Sequence, residues 1–183
     1  THKRIQDIIP PGMPDPATCL ALVNAIYFKA VWEHEFDHDA TAPAPFNLLD
    51  GTSVSVDMMS MEHGESLAYA SGAGWQAVAL PYKGGLAEMV LLVPDAGTFA
   101  GFEAGLTAER YAGIIAALEV QSVDVSLPKF TFTVDYGLSD ALAGMGMSDA
   151  FDPDRADFSG MDGTRFLYIG DVLHKAFIAV DEK

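Results

Sequence analysis

The sequence predicts an α+β fold made mostly of antiparallel β-sheet with a few short helices. Apolar residues alternate in many short runs, and turn signals separate these runs from one another. Only two or three segments have the spacing of an amphipathic helix. Because the strand segments follow one another instead of alternating with helices, most strands should pair as antiparallel neighbours.

The composition excludes several classes of protein. Of the 183 residues, 50% are apolar, which is enough for a packed core and far from a disordered chain. The ten basic residues are scattered, with Lys3-Arg4 as the one adjacent pair, and 26 acidic residues outnumber them, so we expect no nucleic-acid partner. The longest apolar run, residues 19–28, is broken by Asn24 and is too short to cross a membrane, so no membrane partner is expected either.

The acidic residues, which give a formal net charge of −16, are dispersed along the whole chain. Repulsion among so many carboxylates destabilises a compact fold unless salt screens it or a cationic partner neutralises it. A dispersed surplus fits a solvated surface better than a single binding site. We interpret it as adaptation to a salty environment. The chain opens at Thr1 without a leader-like segment, so its native start is expected to lie elsewhere.

The first strand signal covers residues 19–32, which are apolar on both alternating faces. This pattern is typical of a central strand that is covered on both sides. Cys19 is the single cysteine, which excludes an internal disulfide, and its apolar surroundings predict a buried small side chain.

Two hairpins are predicted next. Residues 46–49 and 52–59 flank an Asp50-Gly51 turn, and the second segment alternates strictly. Residues 73–82 and 86–93 flank a Lys-Gly-Gly turn at positions 83–85.

The second half of the chain predicts both helices and strands. Residues 107–118 have helical spacing with Thr107 as the N-cap, and Asp135 is expected to cap a second helix that Gly146 ends. Alternation in residues 123–134 predicts one long strand that bends at Pro128 and Lys129. Residues 166–169 and 172–180 predict the last two strands.

No motif in the chain predicts an enzyme. Residues 34–38 read H-E-F-D-H, but they follow a strand signal and have no helical frame that would bring His34 and His38 together on zinc. The segment 152–157 lacks the glycine of a calcium loop and predicts an aspartate-rich surface turn. Without a nucleophile and base at a recognisable spacing, we expect no catalytic residue, no metal site and no cofactor.

Three polar residues lie in otherwise apolar strand segments: Asn24, Lys129 and His174. A buried polar group without a partner costs about 1–3 kcal/mol. We therefore expect each of the three to be buried and hydrogen-bonded. Taken alone, the residues predict a non-enzymatic β-rich module with specific polar contacts in its strands.

These residues also carry a family resemblance. The run LVNAIYFKAVW at residues 22–32, with Phe36 and Thr41 behind it, resembles the serpin pattern around the third strand of the main sheet. Further matches follow in serpin order: Phe46, MM at 58–59, LPY at 80–82, residues 89–95, SLPKF at 126–130, DFSGM at 157–161, VLHKAF at 172–177 and VDEK at 180–183. The matches extend over essentially the whole chain and are highly specific.

The resemblance implies a serine-type endopeptidase inhibitor that acts by a suicide mechanism. A target protease, serine-type or with less expectation cysteine-type, cuts an exposed reactive loop and is trapped as an acyl-enzyme. The loop then inserts as a new strand between strands three and five of the main sheet. The alternative is a non-inhibitory serpin that acts as a carrier or a chaperone-like binder.

Site residues follow from the same resemblance. Asn24 and His174 match the family's shutter, a hydrogen-bonded pair that rearranges when the sheet opens. Trp32, Lys129 and Glu182 match the breach at the top of the sheet, where Lys129 and Glu182 form a salt bridge. Glu182 and Lys183 would lie next to the hinge of the reactive loop.

The resemblance also sets expectations about the rest of the protein. Residues 1–183 should be part of a single serpin domain, with its N-terminal helices, reactive loop and C-terminal strands absent. Those missing parts and the target protease are the expected partners. Ala30, Glu35 and His38 depart from the usual glycine and prolines of the family without breaking the pattern. An extracellular location is favoured over a cytoplasmic one by the resemblance alone.

Overall fold

A computed structural model describes residues 5, 8–9, 20–25 and 28–183 of the chain. In chain order the strands of this part are β1 (Ala21–Ala25), β2 (Ala42–Asn47), β3 (Ser53–Gly72), β4 (Trp75–Pro81), β5 (Glu88–Pro94), β6 (Glu119–Pro128), β7 (Phe130–Gly137) and β8 (Asp171–Val180). The helices are α1 (Phe99–Ala104), α2 (Ala108–Ala116), α3 (Ser139–Leu142) and α4 (Ser159–Asp162). Short 3₁₀ turns cover His38–Ala40 and Ser148–Phe151, and a π-helical turn covers Ala143–Met147. The predicted α+β class with short helices is confirmed.

The chain divides into two compact units. One contains residues 29–130 and 180–183, and the other contains residues 131–179 with the described residues up to position 28. No helix in the described ranges is both long enough and apolar enough to span a membrane.

The larger unit is built on an antiparallel sheet in the order β2-β3-β4-β5, with β6 also paired to β3. Its most deeply buried large side chains are Met59, Leu67 and Leu80. Phe102 of α1 and Ile114 of α2 pack against Ala77 of β4, so the two helices cover this part of the sheet. Thr107 caps α2 as predicted, since its hydroxyl accepts a hydrogen bond from the Arg110 amide at 3.2 Å.

Both predicted hairpins are confirmed. In the β2–β3 turn, Gly51 has a positive φ of 84° and the Asp50 carboxylate accepts the Thr52 amide at 2.8 Å. In the β4–β5 turn, Gly84 and Gly85 both have positive φ angles, which glycine adopts without the strain that a Cβ brings.

Strand β3 is much longer than predicted: it does not end at Met59 but continues to Gly72. A bulge between Met61 and Glu65 shifts its register against β6. At the bulge, Gly64 has φ 70° and its amide donates to the Asp124 carboxylate at 2.9 Å. Extra residues at a bulge interrupt the period-two alternation, which is why the pattern failed to predict the second half of the strand.

The smaller unit contains a three-stranded sheet in the order β1-β8-β7. Strands β1 and β8 are parallel neighbours, with Ala21 opposite Asp171 and Asn24 opposite His174. The strand predicted over residues 19–32 is shorter in the structure, where residues 28–31 are not part of a strand. The strand occupies Ala21–Ala25, and within the described residues β8 is its one neighbour, so Leu22 is 40% exposed. Cys19 lies outside the described residues.

Three other element predictions were wrong. Residues 119–137 form two strands in different sheets: β6 ends at Pro128 and pairs with β3, whereas β7 begins at Phe130 and pairs with β8. Asp135 belongs to β7 and pairs with Lys175 at 3.1 Å, and the helix starts only at Ser139. Residues 166–169 are not a strand.

Candidate functional site

Glu182 is the centre of a polar cluster at the end of the chain. It is 7% exposed, and its Oε2 lies 2.8 Å from the Lys129 Nζ. Its Oε1 accepts a hydrogen bond from the Thr41 hydroxyl at 3.0 Å. Its backbone carbonyl accepts the Phe36 amide at 3.0 Å. Glu182 is therefore held by two parts of the chain that are distant from it in sequence, residues 36–41 and Lys129.

Trp32 binds the backbone of Asp181, the residue before Glu182. Its indole Nε1 donates to the Asp181 carbonyl at 2.9 Å, and only 3% of the residue is exposed. The indole stacks on Tyr82 with ring centroids 4.7 Å apart and meets Phe36 edge-on at 6.2 Å. An isolated β-bridge also joins Trp32 to Tyr82. We call Trp32, Phe36, Thr41, Lys129 and Glu182 the Glu182 cluster.

The cluster favours an ionised carboxylate. The hydrogen bond from Lys129, followed by the backbone amide of Glu182 and the Thr41 hydroxyl, lowers the pKa of Glu182 from 4.5 to about 2. The same hydrogen bond raises the pKa of Lys129. Glu182 and Lys129 are therefore a charged pair throughout the neutral range.

We expect the stability that Glu182 provides to be lost in acid. Because its pKa is lower in the folded protein than in the unfolded chain, the contribution is fully present above about pH 5 and declines as the pH falls toward 2. The measurement is the free energy of unfolding from pH 7 to pH 2.5 for the natural protein and for Glu182→Gln. The difference between the two should shrink steadily with acidification.

Glu119→Gln is the matched control, because Glu119 is exposed at the start of β6. Its effect on stability should be small at every pH. An effect of Glu182→Gln that is equal at pH 7 and pH 3 would contradict the assignment of the cluster as an ionised pair.

The structure places Asn24 and His174 side by side as register partners on β1 and β8. Within the described part of the chain, however, no hydrogen bond joins their side chains. The His174 ring lies parallel to the Tyr136 ring instead, with centroids 6.4 Å apart and an interplanar angle of 22°. The assignment of Asn24 and His174 to the shutter stays a prediction that rests on the resemblance.

The expectation that Asn24, Lys129 and His174 are all buried was wrong. Asn24 is exposed, His174 is half-buried, and the Lys129 side chain is 39% exposed. Among the residues whose burial the structure describes, the buried charged side chain is that of Glu182, which the pattern of apolar strands did not indicate. Lys183 is exposed, and its amide donates to the Asp181 carboxylate at 3.1 Å.

The residues of the apparent zinc motif do not converge. Positions 34–37 are not helical, and the imidazoles have separate acidic neighbours: His34 lies 3.1 Å from Glu65, and His38 lies 4.0 Å from Asp39. Among the residues that the structure describes, no three His, Cys, Asp or Glu side chains are grouped to hold a metal ion. Asp152 accepts the Asp154 amide at 2.9 Å, which is a local turn contact.

Besides Phe36, two residues of this site, Thr41 and Tyr82, were not singled out as site residues in the sequence. Thr41 binds the second oxygen of Glu182, and Tyr82 supplies the stacking surface for Trp32. Both stand in segments that carry the family resemblance. Their position in those segments was the sequence feature that could have identified them as site residues.

Comparisons with known proteins give matches over the whole chain. A family model described as "Serpin (serine protease inhibitor)" matches residues 1–183. Ipis-1 from Ixodes persulcatus is 40% identical over 185 residues, covering 100% of this chain and 49% of its own length. Serpin B10 from Homo sapiens is 36% identical over 186 residues, covering 100% of this chain and 47% of its own length. The chain thus spans about half the length of the curated relatives it matches.

Solved structures give the same result. Uncleaved ovalbumin superposes with a TM-score of 0.92 at 29% identity, covering 100% of this chain and 49% of that one. Native protease nexin-1 with heparin superposes with a TM-score of 0.91 at 27% identity, covering 100% of this chain and 51% of that one. Sequence and fold lead to one conclusion: the chain belongs to the serpin family.

Proposed function

We propose that the full-length protein inhibits serine proteases by the suicide mechanism of its family. A protease attacks a reactive loop that follows Lys183, and its serine oxygen forms an ester with the loop carbonyl as the peptide amine leaves. Insertion of the loop into the sheet then distorts the protease before water can hydrolyse the ester. The chain itself serves as the frame that receives the loop and performs no catalysis.

The observation that carries the proposal is the direct parallel pairing of β1 with β8. A segment that leaves the end of β8 and turns back would run antiparallel to both strands. If it entered between them, one parallel ladder would be replaced by two antiparallel ladders. Antiparallel pairing is slightly more stable per residue, so insertion gains both hydrogen bonds and better geometry.

The Glu182 cluster is a second observation that supports the same proposal. The backbone of Asp181 and Glu182 is hydrogen-bonded by Trp32 and Phe36, so the residues just beyond β8 are fixed before any loop begins. A fixed base restrains the loop until cleavage frees its far end. We propose that the cluster thereby keeps the native sheet closed.

A gel experiment tests the function. The full-length protein is mixed with trypsin-like, chymotrypsin-like and subtilisin-like proteases, and the products are separated under denaturing conditions. We expect a band at the summed mass of inhibitor and protease that survives boiling. A protease whose catalytic serine has been chemically blocked is the control and should give no such band.

The contrary results are equally informative. Clean cleavage without a covalent band, or no cleavage by any of the three classes, would overturn the inhibitory proposal. Either result would favour the alternative, a non-inhibitory serpin that acts as a carrier or chaperone-like binder.

A further inference from the structure

Strand β2 forms one edge of the larger sheet. It pairs with β3 on one side, and no described strand lies on the other. Its residues are mostly exposed. An exposed edge offers unpaired N–H and C=O groups to any other strand, including that of a second copy of the chain.

The register shows which β2 groups face this open edge. The Leu48 amide donates to the Thr52 carbonyl at 2.8 Å, and in an antiparallel ladder such hydrogen-bonded pairs recur at every second position. Three β2 residues therefore point their backbone N–H and C=O groups toward β3. They are Ala42, Ala44 and Phe46, which lie opposite Met58, Val56 and Val54.

The intervening positions of β2 point outward. Pro43 stands opposite Asp57 and Pro45 stands opposite Ser55. The Asp57 carbonyl accepts the Lys129 amide on the far side of β3, which confirms that this set of positions faces away from the β2–β3 ladder. Of the three outward positions in β2, two are thus occupied by proline, which has no N–H to donate.

We propose that Pro43 and Pro45 close the outer edge of β2 against pairing with a strand of a second copy of the chain. The edge would otherwise attract such a strand. Phe46 and Val54 face each other across the hairpin and are 42% and 43% exposed, so an apolar surface lies beside the open backbone. This inference is independent of the inhibitory function.

Because of their positions, Pro43 and Pro45 affect only the outer edge of β2 and not its pairing with β3. A proline at Ala42 or Ala44 would remove a hydrogen bond to β3 and weaken the hairpin itself. At positions 43 and 45 proline removes donors only from the side that faces solvent. The native ladder is kept while the edge is closed.

The test compares two double variants of the full-length protein. Pro43→Thr/Pro45→Thr restores two outward donors, whereas Ala42→Thr/Ala44→Thr places the same side chains at positions whose amides already bond to β3. We expect Pro43→Thr/Pro45→Thr to dimerise at least about tenfold more tightly than the control, Ala42→Thr/Ala44→Thr. Analytical ultracentrifugation over a range of concentrations measures the two dimerisation constants. The association should reverse on dilution, and the amides at positions 43 and 45 should be protected from hydrogen exchange in the dimer.

Pro43→Ala/Pro45→Ala provides a second measurement that does not add β-branched bulk to the strand. Circular dichroism establishes that each variant is folded before the association is compared. If the folded proline variants associate no more tightly than Ala42→Thr/Ala44→Thr, the proposal is overturned. Association without protection at positions 43 and 45 would also overturn it, because the contact would then lie elsewhere.

Discussion

Replacing Trp32 by alanine is expected to lower the free energy of unfolding by about 3–5 kcal/mol. The indole is 3% exposed, is stacked on Tyr82 at 4.7 Å and contacts Phe36 at 6.2 Å, so its removal leaves a cavity between two aromatic rings. The Asp181 carbonyl also loses its donor. Denaturant unfolding of the full-length protein measures the effect.

Trp32→Phe separates the two contributions. Phenylalanine retains a ring that can stack on Tyr82 but has no N–H for the Asp181 carbonyl, so its cost should be near that of one hydrogen bond, about 1 kcal/mol. If Trp32→Phe and Trp32→Ala destabilise the protein equally, packing between the aromatic rings is not what holds this site together.

Reversing the charge of Glu182 is expected to make the full-length protein polymerise on prolonged warming. Glu182→Lys places an ammonium beside that of Lys129 and removes the acceptor of the Thr41 hydroxyl. Because Lys129 is 39% exposed and stays partly hydrated, we expect a loss of about 2–3 kcal/mol, less than for a fully buried pair. A loosened base of the loop would let the sheet open and accept a strand from another molecule.

The control is the exchanged pair, Lys129→Glu with Glu182→Lys. It restores opposite charges at the same two positions and should recover much of the stability that the single change removes. Polymer formation is followed by native gel electrophoresis after warming. A monomer that persists unchanged in Glu182→Lys would count against the proposed role of the cluster.

The elements that sequence predicted well are those whose causes are local. The Asp50-Gly51 turn and the Thr107 cap each depend on residues within a few positions, and both are present in the structure. Strand β3 beyond Met59 was missed because its bulge at Gly64 breaks the alternation. Its second half depends on pairing with β6, which lies far along the chain.

The candidate site depends even more on distant contacts. Glu182 is acidic and stands beside two other charged residues, a pattern that normally indicates solvated surface. Its burial results from the approach of Phe36, Thr41 and Lys129, and nothing in the local pattern predicts that approach. Only the family resemblance pointed to Glu182 and Trp32. The periodic pattern alone selected Lys129 and mistook it for a buried group.

The pairing of β1 with β8 also determines the order in which the chain acquires its structure. Ala21 leaves the ribosome about 150 residues before its partner Asp171, a delay of about 8–30 s at about 5–20 residues/s. Hairpins β2–β3 and β4–β5 close in about 1–10 μs once both strands have emerged. We therefore expect the middle of the chain to be folded while Leu22 and Val23 still lack β8, their neighbour among the described strands. Until β8 emerges, the backbone groups of β1 that later pair with it remain open to other strands.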